Sequence, residues 1–156
     1  MGGGSGRASR RAAAVAAGVL VADQLTKQLV RSSIALGESR HLLPGVTLVH
    51  AQNSGIAFSL FTGSEAAVIV VAAVVIAAVL AYFARHRERR LMWLPCGLII
   101  GGALGNLLDR LREGVVTDFI KLPDWPAFNV ADASITIGVL ALVWVASRGG
   151  AAARPA

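Results

Sequence analysis

Uncharged, mostly apolar residues fill positions 66–84 and 91–108, bracketed by Glu65 and Arg85 and by Arg90 and Asp109. Each run approaches the roughly 20 residues that a helix needs to cross about 30 Å of hydrocarbon. Positions 128–147 form a third run with Asp132 near its start, and positions 12–30 a fourth with Asp23 and Lys27 inside it. The pattern predicts four transmembrane helices. Between 12–30 and 66–84, Pro44-Gly45 signals a turn and Val46-Thr47-Leu48-Val49 a strand, with Ala57-Phe58-Ser59-Leu60-Phe61 following Gly55. A small β platform on the membrane surface fits this stretch. Between 91–108 and 128–147, Val115-Val116 reads as a short strand and Asp118 as part of a loop, while Pro123 and Pro126 exclude a continuous helix.

Composition agrees with the pattern. The chain has 156 residues, 55% of them apolar and 15% charged, with a mean hydropathy of +0.64. Soluble domains carry roughly 25% charged residues, so most of this surface suits lipid rather than water. The expected organisation is one transmembrane domain over 12–147, a flexible N-terminal tail over 1–11 that includes Gly2-Gly3-Gly4-Ser5-Gly6, and a tail over 148–156. The opening RASRR followed by alanines also has the form of a secretory signal peptide. Against that, the helical pattern continues through Asp23-Gln24-Leu25-Thr26-Lys27 into another apolar turn.

The formal charge is +6. Arg7, Arg10, Arg11, Arg85, Arg87, Arg89, Arg90, Arg148 and Arg154 fall on one side of the four spans, and Arg31, Arg40, Arg110, Arg112 and Lys121 on the other. Basic residues concentrate on cytoplasmic ends, which puts both termini in the cytoplasm and both longer connections outside. The arginines flank apolar runs and are not interleaved with aromatics, so orientation in the membrane is favoured over nucleic-acid binding. Cys96, the single cysteine, has no partner for a disulfide or a metal cage.

In this topology the polar residues of the spans share one depth. Asp23 and Lys27 lie in the outer half of the first span, Asn106, Asp109 and Arg110 at the outer end of the third, Asn129 and Asp132 at the start of the fourth, and Asp118 just before it. Ionisable groups at a helix centre cost roughly 2.5–3.5 kcal/mol on insertion scales, so they face a cavity or one another. A shared polar cavity near the outer face follows. Asp23 and Lys27, four apart, sit on one helix face, as do Asn106 and Arg110. On spacing alone, Asp23 and Lys27 suit a buried structural ion pair better than substrate contact, Asp109 and Arg110 suit solvated loop charges, and Asn53-Ser54-Gly55 suits a turn. Gly101, Gly102 and Gly105 suit close helix packing, because no strand precedes them as a nucleotide loop requires.

Two aspartates in apolar surroundings, Asp118 and Asp132, are the pair best placed for aspartic-peptidase chemistry. Neighbouring carboxylates share a proton, and such a pair deprotonates water while protonating a carbonyl oxygen or a leaving amine. His41, His50 and His86 have no spacing for a shared metal. A serine–histidine peptidase would need Ser54 or Ser59 near His41 or His50. A small transporter or ion channel is the competing class, but a conduction path needs polar groups through both halves of the bilayer, and the inner halves of the spans carry none.

Five segments, in order, resemble the lipoprotein signal peptidase family (signal peptidase II): Asp23-Gln24-Leu25-Thr26-Lys27; Asn53-Ser54-Gly55-Ile56-Ala57-Phe58; GGALGNLLDR over 101–110; Gly114-Val115-Val116-Thr117-Asp118-Phe119-Ile120; and Phe128-Asn129-Val130-Ala131-Asp132, followed by Ile135 and Gly138. The resemblance implies a mainly α membrane protein of the bacterial inner membrane: four transmembrane helices with an extracytoplasmic β cradle and a short loop-helix arm. It implies an aspartic endopeptidase acting on lipid-modified prolipoproteins among membrane phospholipids, as a monomer, with no cofactor or metal. By motif, Asp118 and Asp132 are the catalytic pair, Asn53, Asn106, Arg110 and Asn129 line the substrate site, and Asp23, Lys27, Gly55, Phe58 and Asp109 support it. Thr117 departs from the apolar residue common before the first of these aspartates.

Overall fold

A computed structural model describes residues 3–55 and 65–151. Its elements are α1 (Gly3–Ser33), β1 (Ser39–Leu43), β2 (Val46–Asn53), α2 (Glu65–His86), α3 (Trp93–Glu113), β3 (Val116–Lys121) and α4 (Val130–Ala151). The four helices fall where the apolar runs are. α1 starts at Gly3, well before position 12, so the segment read as a flexible tail is helical from there. Phe58 and the rest of 56–64 lie outside the described residues.

Among the described residues, three helices are long and apolar enough to cross a membrane: Gly4–Ser33, Ala66–His86 and Val130–Arg148. They present large apolar side chains outward, among them Val70, Val74, Leu80, Leu140 and Val143, a surface that lipid stabilises and water does not. α3 differs. All three other helices pack on it, and its buried residues include Pro95, Cys96, Ile99, Ile100 and Asn106. Facing protein more than lipid, it carries glycines and polar groups that an outer helix would not, and it falls short of the hydropathy of a lone span.

Glycines permit this packing. A Cβ on Gly101 would stand 2.6 Å from the Ala16 carbonyl oxygen of α1, and one on Gly102 2.5 Å from the Ala131 carbonyl oxygen of α4. Both faces of α3 are thus closed to any larger side chain, the close backbone approach that small residues provide within bilayers. Gly114, left-handed at φ 74°, then ends α3 with its N–H donating to the Arg110 carbonyl at 3.0 Å.

The three strands form an antiparallel sheet in the order β1-β2-β3. The Pro44-Gly45 turn joins β1 to β2, with Gly45 at φ 79°. β2 runs beyond the four residues expected of it, to Asn53, and β3 runs beyond Val116 to Lys121. Asp118 therefore sits on a strand, opposite Ala51, and not on a loop. Pairing with β2 satisfies the β3 backbone, and four successive β3 residues from Val116 to Phe119 are buried, so the inward and outward alternation that marks a half-buried strand is missing. Val30, Ile34 and Phe119 form an apolar cluster between α1 and the sheet, while Phe83, Met92, Cys96 and Ile100 anchor another toward the opposite end.

Candidate active site

The polar residues of the spans converge where the helices meet the sheet. Lys27 of α1 is fully buried, and its three ammonium protons find three acceptors: Asp23 Oδ2 at 2.7 Å, Asp109 Oδ2 at 2.9 Å and Asn106 Oδ1 at 2.9 Å. Asp23 Oδ1 accepts the Ala131 backbone N–H of α4 at 3.0 Å. One lysine and two aspartates thus tie α1 to α3 and α4. The expected structural pairing of Asp23 with Lys27 is present, and Asp109, read as a solvated loop charge, is instead buried within it.

A second layer rests on the first. Asn106 is oriented by Lys27 on its oxygen and donates its Nδ2–H to Asp132 Oδ1 at 2.8 Å. Asn129 caps α4: its Oδ1 accepts the Asp132 backbone N–H at 2.9 Å, and Asp132 Oδ2 accepts the Asn129 backbone N–H at 3.2 Å. This reciprocal arrangement is a capping box built from asparagine and aspartate, and it fixes the Asp132 carboxylate at the first turn of the helix. The same Asn129 donates Nδ2–H to Asp118 Oδ1 at 2.7 Å. Asn53, at the end of β2, donates to Asp118 Oδ2 at 3.0 Å, while its own Oδ1 accepts the Gly55 N–H at 2.8 Å. Gly55 takes the left-handed φ of 81° that this turn requires.

Among the described residues, Asp118 and Asp132 each accept two N–H donors. Asp118 is only 3% exposed. Burial pushes its pKa from the ordinary 3.8 to about 6; the charge of Asp132 pushes the same way, and the Asn53 and Asn129 hydrogen bonds and the Lys27 charge pull it back. Asp132 is half-buried and opens onto a groove of about 360 Å³, where Leu122, Trp125, Phe128 and Ile137 form apolar walls. Arg110 is half-buried and donates to the Asn106 backbone carbonyl at 3.3 Å, close enough for the charges of Asp132, Asp118 and Asp109 to act on it.

Three comparisons bear on what this arrangement belongs to. The model of a protein family described as signal peptidase (SPase) II matches residues 15–148. The chain belongs to the signal peptidase II family. A lipoprotein signal peptidase from Halothermothrix orenii is 41% identical over 126 residues, covering 80% of this chain and 87% of that relative. One from Azoarcus sp. is 42% identical over 151 residues, covering 87% and 82%. A solved bacterial membrane enzyme superposes with a TM-score of 0.84 at 26% identity, over 93% of this chain and 92% of that one. As a member of the signal peptidase II family, the chain is a membrane-bound protease.

Of the residues expected at the site, Asp23, Lys27, Asn53, Asn106, Asp109, Asp118, Asn129 and Asp132 form one hydrogen-bonded network, with Gly55 and Arg110 beside it. Two further members, Gln24 and Thr117, fell within the motifs but were not expected as site residues. Gln24 donates to Asp109 Oδ1 at 2.8 Å and to the Gly105 carbonyl at 3.3 Å. The Thr117 carbonyl accepts from Asn129 Nδ2 at 3.3 Å, and its hydroxyl accepts from Arg31 at 3.1 Å. Gln24 carried a usable signal, since an amide inside a span is costly unless it is hydrogen-bonded.

Proposed function

We propose that this chain removes signal peptides from diacylglyceryl-modified prolipoproteins, cleaving on the amino side of the lipidated cysteine, with Asp118 and Asp132 as an aspartic dyad. The observation that carries this reading is the single asparagine, Asn129, that holds both carboxylates, donating to Asp118 Oδ1 and capping onto Asp132. Family membership and the five motifs support the substrate class.

Asp132, which borders the groove, acts as the base and takes a proton from water. Asp118, whose pKa is raised to about 6, acts as the acid and gives its proton to the scissile carbonyl oxygen. The water oxygen bonds to the carbonyl carbon. On collapse the C–N bond breaks, Asp132 returns its proton to the leaving amine, and the carbonyl oxygen returns one to Asp118. Substrate covering the site excludes water and keeps Asp118 protonated near neutral pH. Asn53, Asn106, Arg110 and Asn129 position the dyad and the substrate backbone, and Asp23, Lys27 and Asp109 hold the helices that carry them.

In this reading the four helices all cross the bilayer, with α3 shielded by the other three; both termini are cytoplasmic, and the sheet and dyad lie at the outer face. The signal helix enters laterally while its acyl chains stay in lipid. The test is cleavage of a diacylglyceryl-modified precursor peptide by the purified chain. The reading expects a product beginning at the lipidated cysteine, and no cleavage of the unlipidated peptide. Cleavage of both peptides at equal rate, or at another bond, overturns it.

A further inference from the structure

The end of the bundle opposite the sheet carries a basic cavity that peptide cleavage does not use. Arg7 and Arg11 of α1 and Arg87, Arg89 and Arg90 of the α2–α3 turn line a cavity of about 420 Å³, with Glu88 the one acidic side chain among them. Its wall is Trp93, over whose ring the Arg11 guanidinium lies at 5.7 Å. A second cavity, of about 370 Å³, shares Arg90 and Leu91 with the first and is completed from α4 by Arg148, Trp144 and Val145. There the Arg148 guanidinium stacks over Trp144 at 4.2 Å. Leu91, between the two, adopts the left-handed φ of 66°, which turns the chain tightly enough for both cavities to meet.

We propose that these adjoining cavities form a binding site for an anionic phospholipid carrying two phosphates, a diphosphatidylglycerol. Three separate elements, α1, the α2–α3 turn and α4, deliver guanidinium groups to one place. Guanidinium forks match phosphate oxygens bidentately, and two adjoining basic cavities that share Arg90 suit two linked phosphates better than one. Each cavity pairs its arginines with a tryptophan, and Leu91 and Trp144 remain partly exposed at 38% and 49%. Tryptophan belongs at the headgroup level of a bilayer, and basic pockets between transmembrane helices recognise anionic headgroups. A soluble phosphate would leave these apolar walls unused; a lipid covers them with its glycerol backbone and upper acyl chains.

The site lies apart from the dyad, so its test reads lipid retention and not cleavage. Purified full-length chain in neutral detergent is titrated with diphosphatidylglycerol, phosphatidylglycerol or phosphatidylcholine, and bound lipid is counted by native mass spectrometry. Diphosphatidylglycerol is expected to bind at least about tenfold more tightly than phosphatidylcholine, with phosphatidylglycerol between them. Arg90→Gln, an exposed position shared by both cavities, is expected to weaken diphosphatidylglycerol about threefold or more, and Arg11→Gln with Arg148→Gln to add to that loss. Arg40→Gln on β1 and Asp118→Asn are expected to leave it unchanged, and millimolar inorganic phosphate to compete poorly. Equal binding of the one- and two-phosphate lipids, retention unaffected by Arg90→Gln, or displacement by free phosphate overturns the proposal.

Discussion

Asn129 donates its side-chain N–H to Asp118 Oδ1 at 2.7 Å, and the same side chain caps the helix that begins with Asp132. One residue therefore sets a helix start and the relative placement of two carboxylates. Asn129→Ala is expected to cost roughly 0.5–2 kcal/mol of stability through the lost cap. Its effect on cleavage is expected to be larger, about 10²-fold in kcat, because a displaced catalytic group is far more costly to rate than to folding. Thermal unfolding and steady-state kinetics on the same preparation separate the two effects.

Lys27 is the charge that neutralises two buried carboxylates. Removing it in Lys27→Ala leaves Asp23 and Asp109 facing each other without a cation. Breaking a buried pair in this way costs roughly 3–5 kcal/mol, and Asn106 also loses the partner that orients it toward Asp132. The variant is expected to unfold at a lower temperature and to lose cleavage even where it remains folded. Differential scanning fluorimetry in detergent checks the first expectation.

The raised pKa of Asp118 has a defined sign. Between 3.8 and about 6 the folded protein holds a proton that the unfolded chain has lost, so the stability this proton contributes is present at low pH and is lost as pH rises through about 6. Asp132→Asn removes the repulsion and is expected to lower the Asp118 pKa. Asn53→Ala removes a hydrogen bond to the charged form and is expected to raise it. An infrared titration of the carboxyl band reads both shifts without requiring activity.

Gly105 of α3 tests the packing beneath the site. A Cβ there would stand 2.5 Å from Asp23 Oδ2, too close for either to remain in place. Gly105→Ala is expected to cost about 1–3 kcal/mol, the usual range for overpacking, and to reduce cleavage by disturbing the ion pair with Lys27. Gly18→Ala, inside α1 where a Cβ would meet nothing within 4 Å, is the control expected to lose neither stability nor cleavage.

What was legible in the sequence follows from the solvent. In lipid a charge inside a span must be paired, so Asp23, Lys27, Asn106, Asp109 and Asp132 could be grouped at one depth from their positions alone, and they do form one network. Water imposes no such rule on the connections. β1 carries Ser39, Arg40 and His41, is exposed along its length, and gave no apolar alternation to find. Asp118 read as a loop residue because its strand is buried at four successive positions and follows no period of two. Arg31 and Thr117 join through a hydrogen bond between residues 86 positions apart, a contact that no local pattern announces.

The central claim, that Asp118 and Asp132 together hydrolyse the peptide bond, is tested most directly by turnover of a diacylglyceryl-modified precursor peptide by purified Asp118→Asn and Asp132→Asn, each shown to be folded by its unfolding transition. Either substitution removes one half of the proton exchange while keeping the shape of the side chain. The account predicts that both lose about 10²–10⁴-fold in kcat, the range for a missing general acid or base. Turnover within a few-fold of the unsubstituted chain in either folded variant would contradict it.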